Sequence, residues 1–511
     1  MTILLTTLNA RYAHSSLGLR YLHANMGKHA DRTRILELVI GINSSTAAEK
    51  LLALNPAIIC MSVYIWNAEE SAKLVSILKT ISPKTLIILG GPEISHETPS
   101  QPIAQMADYV ISGWGEATLP DLCSQILDGI RPAEKFHKGQ HLDLNDIVMP
   151  YHLYSDEDIA NRTLYVEASR GCPFRCEFCL SSLDKTAWAF DTDRFLAEME
   201  KLYARGARNF KFVDRTFNLN TKKCLQILHF FLDKIHAAPS DPVFVHFEVV
   251  PDHLPETLKE AIQAFPTGTL QLEIGVQTFN PDVQALISRK QDNHKTKENI
   301  QWLKNHSQAH LHTDLIIGLP GETIESFGKG FDRLVKLKPH EIQVGILKRL
   351  RGTPILRHTD TFGLVFNPTP PYAIMATTLI DFFTMQRLVR FARFWDLIAN
   401  SGRFAKTLPF ILADEPFSRF MALSDWLYDT GRTTHGIALD RLASLVAKWL
   451  ITNGMDADLV RITLGQDYAG KAHMKRQQQT ASPSLPNERR QAPVRQSRHI
   501  EPLTETAQHR R

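Results

Sequence analysis

The sequence predicts an α/β protein in three ordered parts. These are a Rossmann-like doubly wound parallel sheet over 1–135, a partial (β/α)6 barrel of TIM type over 157–355, and a helical C-terminal domain over 356–469. Three observations carry the prediction. Apolar runs alternate with amphipathic stretches in two series, the second with a longer period. Strand signals fade after about residue 370. A chain of 511 residues also suits about three domains, at roughly 100–200 residues each. With 43% hydrophobic and 22% charged residues, the composition excludes global disorder, a fibrous repeat and a small disulfide scaffold.

In the first series Thr2–Leu8, Arg34–Val39, Ala57–Val63, Thr85–Leu89 and Tyr109–Ile111 read as buried strands, with helices such as Ala68–Thr80 between them. Glycine turns follow two strands, at Gly90-Gly91-Pro92 and Gly113-Trp114-Gly115; in such sheets ligands bind outside the carboxyl ends of the strands. Residues 136–156 are polar and Pro-interrupted and read as a linker. The second series is Leu164–Ala168, Asn209–Val213, Val243–Val249, Thr269–Ile274, Leu311–Ile317 and Glu341–Leu347. Six strand–helix units in about 190 residues suit a barrel whose chemistry sits at the strand C-terminal ends. Beyond it, Leu388, Phe391, Trp395 and Ile398 make one helical stripe and Leu442, Leu445, Trp449 and Leu450 another, each ended by an Asn/Gly signal. Residues 470–511 are rich in Gln, Ser, Pro and Arg and read as a disordered basic tail.

The net charge of +4 is unevenly spread. Nine Lys/Arg against three Glu after Gly470 give the tail +6 and leave the rest at −2, so a nucleic-acid role argued from charge would rest on the tail alone. There is no run of 18 uncharged apolar residues, and Met1-Thr2-Ile3-Leu4-Leu5 has no basic n-region. No membrane span and no secretion signal are expected, which points to the cytoplasm.

The decisive segment is Glu167-Ala-Ser-Arg-Gly-Cys172-Pro-Phe-Arg-Cys176-Glu-Phe-Cys179, directly after an apolar strand. Three of six cysteines crowd into eight positions, which in a cytosolic chain points to metal. Three thiolates on one loop can bind three irons of a [4Fe–4S] cube and leave the fourth open. Structural zinc usually needs four ligands in paired spacing, and no matching Cys/His pair follows. Buried inert cysteines are the remaining alternative.

This C-x3-C-x2-C segment resembles the radical S-adenosylmethionine (SAM) signature. Further residues extend the likeness to the anaerobic coproporphyrinogen oxidase branch of that superfamily. They are Val245-His-Phe-Glu248-Val-Val-Pro251, Ile274-Gly275-Val276-Gln277-Thr278-Phe279-Asn280, Arg289-Lys-Gln-Asp292, and Asp314-Leu-Ile-Ile-Gly318-Leu-Pro320-Gly321-Glu322. The resemblance implies that Cys172, Cys176 and Cys179 hold the cluster. It implies that the open iron chelates SAM, and that electron transfer cleaves SAM to methionine and a 5′-deoxyadenosyl radical. It also implies SAM contacts from Glu248, Gln277, Arg289 and Asp314, with Phe178 packing near the adenine. The chemistry agrees, since carboxylates accept from the ammonium and ribose diol while Arg and Gln donate to the carboxylate. Many members carry a Gly-rich turn after the second barrel strand; here Phe212-Val213-Asp214-Arg215 stands there, and Asp214 is either a substitute carboxylate or a helix cap.

Residues 1–135 resemble the cobalamin (B12)-binding domain fused ahead of many radical SAM barrels, on Met61-Ser62-Val63-Tyr64-Ile65-Trp66-Asn67, Leu89-Gly90-Gly91-Pro92-Glu93 and Gly113-Trp114-Gly115-Glu116. By that resemblance Ser62, Gly90, Gly91 and Gly113 admit the cobalamin nucleotide tail, because Gly allows close backbone approach. The D-x-H-x-x-G box that ligates cobalt is absent; the nearest feature, Tyr12-Ala-His14-Ser-Ser-Leu17-Gly18, has altered spacing, so His14 reads as a loop hydrogen-bonder. Cys60, Cys123 and Cys224 read as buried small hydrophobes, too few for the second cluster of a methylthiotransferase.

The resemblance implies a cobalamin-dependent radical SAM methyltransferase acting on an unactivated carbon of a small molecule, supplied with electrons by a reductant such as flavodoxin or ferredoxin. The competing readings are a radical SAM cyclase, oxidase or rearrangement enzyme without methyl transfer, and an Fe–S redox or RNA-associated protein guided by the basic tail.

Overall fold

The computed structural model of the chain describes residues 2–480 and 495–499, the side chains of 469–480 and 497 excepted. The chain divides into two compact units. The first comprises 1–215, 348–356 and 366–373; the second comprises 216–347, 357–365 and 374–511.

The first unit is built on a parallel sheet of six strands, β1 (Thr2–Asn9), β2 (Thr33–Val39), β3 (Pro56–Ser62), β4 (Leu86–Gly90), β5 (Tyr109–Ser112) and β6 (Phe136–Lys138), in the order β2-β1-β3-β4-β5-β6. Its inner strands β1, β3, β4 and β5 bury both faces, which is why they read as continuous apolar runs. Leu4, Ile59, Ile87 and Val110 join one core; Ile3, Ile58, Ile88 and Ile111 join the other. The order reverses between β1 and β3, and the crevice outside the carboxyl ends at such a switch point is where open α/β sheets bind ligands.

The expected linker 136–156 carries structure of its own. β6 pairs with β5, Tyr151 and Tyr154 are buried, and Ser155 caps the helix Asp156–Asn161 with a capping box. That helix brings Asp158 into a buried four-charge ring. Glu37 Oε2 meets Arg20 at 3.1 Å and Arg162 at 2.8 Å, and Asp158 closes the ring on the same arginines at 2.8 and 3.0 Å. Glu37 Oε1 also accepts from Asn9 Nδ2 and Ser16 N, so the ring fixes the loop that follows β1. The arginine charges hold the Glu37 and Asp158 carboxyls below their ordinary range despite burial. Glu37→Ala leaves two buried guanidinium groups against the single carboxylate of Asp158 and should cost about 3–5 kcal/mol, read as a lower urea midpoint.

The six strands expected of the barrel all form. β7 (Leu164–Val166) and β10 (Asn209–Phe212) pair in parallel in the first unit, where the two-residue strands β8 (Ser169–Arg170) and β9 (Trp188–Ala189) make an antiparallel arm. In the second unit β11 (Phe244–Val249), β12 (Leu270–Gln277), β13 (His310–Ile317) and β14 (Glu341–Ile346) run parallel in sequence order. Both apolar stripes of the C-terminal domain become helices, Phe382–Ile398 and Leu439–Thr452.

The tail departs from expectation where it is described. The helix Ala457–Thr480 continues past Gly470, because its Ala, Lys, Met, Arg and Gln are good helix formers and each of its two glycines costs only about 1 kcal/mol. Residues 495–499 dock on the second unit. Arg495 pairs with Glu341 at 2.9 Å and Asp396 at 2.6 Å, His499 Nε2 lies 3.0 Å from the Asn400 carbonyl, and the Gln496 amide donates to Gln271. The remainder of the expected disordered tail lies outside the described residues.

This docking shields two histidines. Burial pushes His310 down to about 3, helped by His499 and Arg495, while the carboxylate touching it, Glu341, is shared with Arg495. Burial and Lys304 push His340 down to about 2. Unfolded histidines take up protons first, so these two contribute stability that is full above about pH 6.5 and lost as pH falls towards 3. Urea midpoints should fall between pH 7 and 5, with a slope of about 1.4 kcal/mol per pH unit for each histidine, and His310→Gln should flatten the profile.

Candidate active site

The cysteine loop runs from β8 to β9 in the first unit. Gly171 precedes it at φ +81°, and a Cβ there would collide with Asp184 O, Thr186 Oγ1 and Ala187 N, all under 3.0 Å away; only glycine turns the chain here. The loop backbone is held from within. Cys172 N donates to Asp184 O at 2.8 Å, Cys179 N to Cys176 O at 3.1 Å, and the Ser182 hydroxyl to the carbonyls of Cys176 and Cys179 at 2.9 and 2.7 Å. Cys172 and Cys176 are buried, Cys179 is half-buried, and none of the six cysteines forms a disulfide. Phe178 is half-buried between the last two thiols.

Among the described residues no three His, Cys, Asp or Glu converge on a point that would hold one metal ion. A cubic cluster does not require this, since each thiolate takes a different iron. A loop with three thiols outside any disulfide and no tetrahedral set fits a cluster better than zinc.

Asp214 lies at the base of the cysteine loop, where its carboxylate accepts from Ala168 N at 3.0 Å and the Ser169 hydroxyl at 2.5 Å. Burial pushes it up to about 7.

In the second unit three of the residues expected at SAM fall on adjacent strands. Glu248 is penultimate in β11, Gln277 ends β12, and Asp314 stands opposite Gly275 in the β12–β13 register. The register slips between Gly275 and Gln277, and Gln277 takes φ +69°, a left-handed conformation rare for a side-chain-bearing residue. The slip turns its side chain back over the strand. A Cβ on Gly275 would meet Gln277 Nε2 at 2.6 Å and Arg289 Nη2 at 3.9 Å, while Arg289 Nη2 donates to the Gly275 carbonyl. Gly275, Gln277 and Arg289 are therefore one assembly. Gly275→Ala displaces the Gln277 amide, and the apparent SAM affinity should fall roughly ten-fold by equilibrium binding, about 1.4 kcal/mol.

A polar chain behind Arg289 gave no sequence signal. Arg289 Nε donates to Gln291 Oε1, Gln291 to Asn293, Gln284 to Asn293 and to the Thr278 carbonyl, and the Thr278 hydroxyl to Glu322 at 2.6 Å. Glu322 is buried, which pushes it up to about 7.

The first unit also holds a cavity of about 510 Å³ at the β1/β3 switch point. Asn9, His14, Ser16 and Gly18 enter it from the segment after β1, Tyr64 and Trp66 from the loop after β3, and Glu116, Tyr165, Glu167 and Arg170 complete the wall. Tyr64 and Trp66 stack with centroids 4.3 Å apart and planes 10° apart. Asn67 holds their loop, accepting from Tyr64 N at 2.8 Å and donating to the Leu8 carbonyl at 3.0 Å. His14 Nδ1 lies 2.7 Å from the Tyr165 hydroxyl, and burial lowers its pKa, so the ring is neutral near pH 7.

None of Ser62, Gly90, Gly91 and Gly113 lines this cavity. Ser62 and Gly90 end neighbouring strands in register. At Gly91 (φ +101°) the space for a Cβ is filled by the Val63 backbone, 2.6 Å away, so this glycine serves the packing of two loops. Gly113 (φ +82°) faces open space and donates its N–H to Ser95.

Cys60 and Cys123 lie together in the core, where the facing thiol and burial raise the Cys60 pKa and hold it protonated.

Comparison with known proteins agrees with this layout. Residues 3–123 match the B12 binding domain, 166–334 the radical SAM superfamily, and 360–507 a domain of unknown function, DUF4080. An uncharacterized methyltransferase of Pyrococcus horikoshii is 25% identical over 340 residues, 60% of this chain and 70% of its own. The cobalamin-dependent radical SAM methyltransferase TokK of Streptomyces tokunonensis is 24% identical over 326 residues, 57% of this chain. This chain spans 47% of TokK's length. Among solved structures, the cobalamin-dependent SAM radical enzyme OxsB with aqua-cobalamin and SAM aligns over 92% of this chain and 83% of its own, with a TM-score of 0.64 at 13% identity. TsrM from Kitasatospora setae, a radical SAM methyltransferase with cobalamin and a [4Fe–4S] cluster, aligns over 75% and 79%, with a TM-score of 0.56 at 15% identity. The chain thus matches the radical SAM superfamily over 166–334 and, ahead of it, the B12 binding domain over 3–123.

Proposed function

We propose that the protein is a cobalamin-dependent radical SAM methyltransferase that acts on an unactivated carbon of a small molecule. The observation that carries this reading is the joint wall of the first unit. The switch-point cavity is lined by Glu167 and Arg170, the residues that lead directly into the cysteine loop. A cofactor in that cavity and a cluster on that loop are neighbours.

When bound, the cofactors supply one-electron reduction, a carbon-centred radical from SAM and a cobalt methyl carrier. The chain's own residues hold and orient them. The thiolates of Cys172, Cys176 and Cys179 would hold the cluster. Arg289 and Gln277 would donate to the SAM carboxylate, Glu248 and Asp314 would accept from its ammonium and diol, and Phe178 would pack against the adenine. The Tyr64–Trp66 stack offers a flat aromatic wall to the broad face of a corrin ring, with His14 beside it as a neutral imidazole. Residues 1–135 form the cobalamin part, 157–355 the radical part, and 356–469 a helical part that shapes the substrate pocket. The electron comes from a low-potential reductant of flavodoxin or ferredoxin type in the cytoplasm. Among the described residues no helix is long and apolar enough to cross a membrane.

The test is anaerobic reconstitution with iron, sulfide and hydroxocobalamin, then gel filtration and incubation with SAM and dithionite. Retained cobalamin absorption together with 5′-deoxyadenosine release is the expected result. Failure to retain cobalamin overturns the methyl-transfer reading, and failure to release 5′-deoxyadenosine overturns the radical one.

A further inference from the structure

We propose that Trp114 and Glu116 clamp both ends of the cysteine loop, so that the turn after β5 is a positioning element for the cluster. The inference rests on the reading that Cys172, Cys176 and Cys179 carry that cluster. Arg170, two residues ahead of Cys172, is held by Glu116 Oε1 at 2.7 Å and Glu167 Oε2 at 3.0 Å. Its guanidinium lies over the rings of Trp114 and Tyr21, each 4.6 Å from the centroid. Beyond the cysteines, Trp114 Nε1 donates to Asp184 Oδ2 at 3.2 Å, and the Asp184 carbonyl accepts from Cys172 N. One indole therefore touches the chain on both sides of the thiols.

The turn itself is fixed. Gly139 approaches the Trp114 backbone so closely that a Cβ would collide with the Trp114 carbonyl, and His141 stacks on the indole at 4.7 Å. A planar, bidentate guanidinium gripped by two carboxylates and two rings allows little angular freedom, unlike a lysine at the same place. Gly113-Trp114-Gly115-Glu116 thus acts through its two side chains on the cluster loop, and its role is not confined to the glycines. Glu116 and Arg170 also line the switch-point cavity, so its occupant touches the clamp directly.

Two variants of the full chain test this. Trp114→Phe keeps a ring over Arg170 and deletes the N–H to Asp184; Glu116→Gln removes one carboxylate charge. Each is reconstituted anaerobically and compared with the parent by iron and sulfide content, by low-temperature EPR of the reduced cluster with and without SAM, and by 5′-deoxyadenosine release. The expected result is a full iron complement, an altered EPR signal in the presence of SAM, and release slowed roughly ten-fold by misplacement of the cluster. Parent-like EPR and release in both variants would overturn the clamp. So would a lower melting temperature with fewer clusters whose EPR is unchanged, since that marks a purely structural contact. A parent protein that takes up no iron would instead overturn the cluster reading on which the proposal stands.

Discussion

Cys176→Ala protein, reconstituted anaerobically, is expected to release no 5′-deoxyadenosine above the protein-free background while the parent does. On the proposed reading the cluster has three protein thiolates and no fourth in reserve among Cys60, Cys123 and Cys224, which sit in cores and helices elsewhere. Deleting one leaves two irons without protein ligands, and no other group on the loop is soft enough to replace it. The fold survives the change. The Cys176 carbonyl is held by Ser182 independently of the thiol, and removal of one small buried side chain costs only about 1 kcal/mol. Cys224→Ala is the matched control: its thiol donates to the Phe217 carbonyl in the second unit, so the variant loses a similar amount of stability and keeps its iron. Iron analysis and product chromatography on the two variants separate ligand from bystander.

The parallel strands were legible because they bury both faces. Thr2–Asn9 and His310–Ile317 differ from their expected limits by one residue. β6 was not: Phe136-His-Lys is an edge strand with two exposed residues and no apolar run to announce it. The cysteine spacing and the strand residues Glu248, Gln277 and Asp314 could be read locally. The cavity could not, since its wall joins Asn9, Tyr64 and Arg170, and only the strand order places the crevice between β1 and β3. The glycine turns after β4 and β5 could be read as turns, but not that the Val63 backbone fills the room that Gly91 makes. Long-range polar pairs such as Trp114 with Asp184 and Glu37 with Arg162 leave no periodic trace at all. Tail docking through Arg495 and Gln496 is invisible for the same reason, because composition reports the average of a segment and not a five-residue anchor inside it.

Gly18→Trp is expected to abolish cobalamin retention while leaving SAM cleavage in place. Gly18 is the second residue of the helix Leu17–Ala24, which Ser16 caps, and its φ is not in the left-handed region, so the backbone accepts a side chain. A Cβ there would lie 3.6 Å from the Tyr64 hydroxyl, an ordinary contact, and would point along the cavity wall. Alanine therefore fits and should stabilise the helix by about 0.5–1 kcal/mol with cobalamin still retained. An indole has no such room: it must fill the cavity beside the Tyr64–Trp66 stack, and a loss of at least about 100-fold in affinity, near 2.7 kcal/mol, is the result to look for by absorption after gel filtration. The three cysteines, Gln277 and Arg289 are untouched, so 5′-deoxyadenosine should still form, now without methyl transfer. Retention of cobalamin by the Trp variant at the parent's stoichiometry would show that the cofactor lies elsewhere, and loss in the Ala variant as well would point to the helix rather than the cavity. Only the separation of the two variants, with cleavage preserved in both, assigns the switch-point cavity to cobalamin.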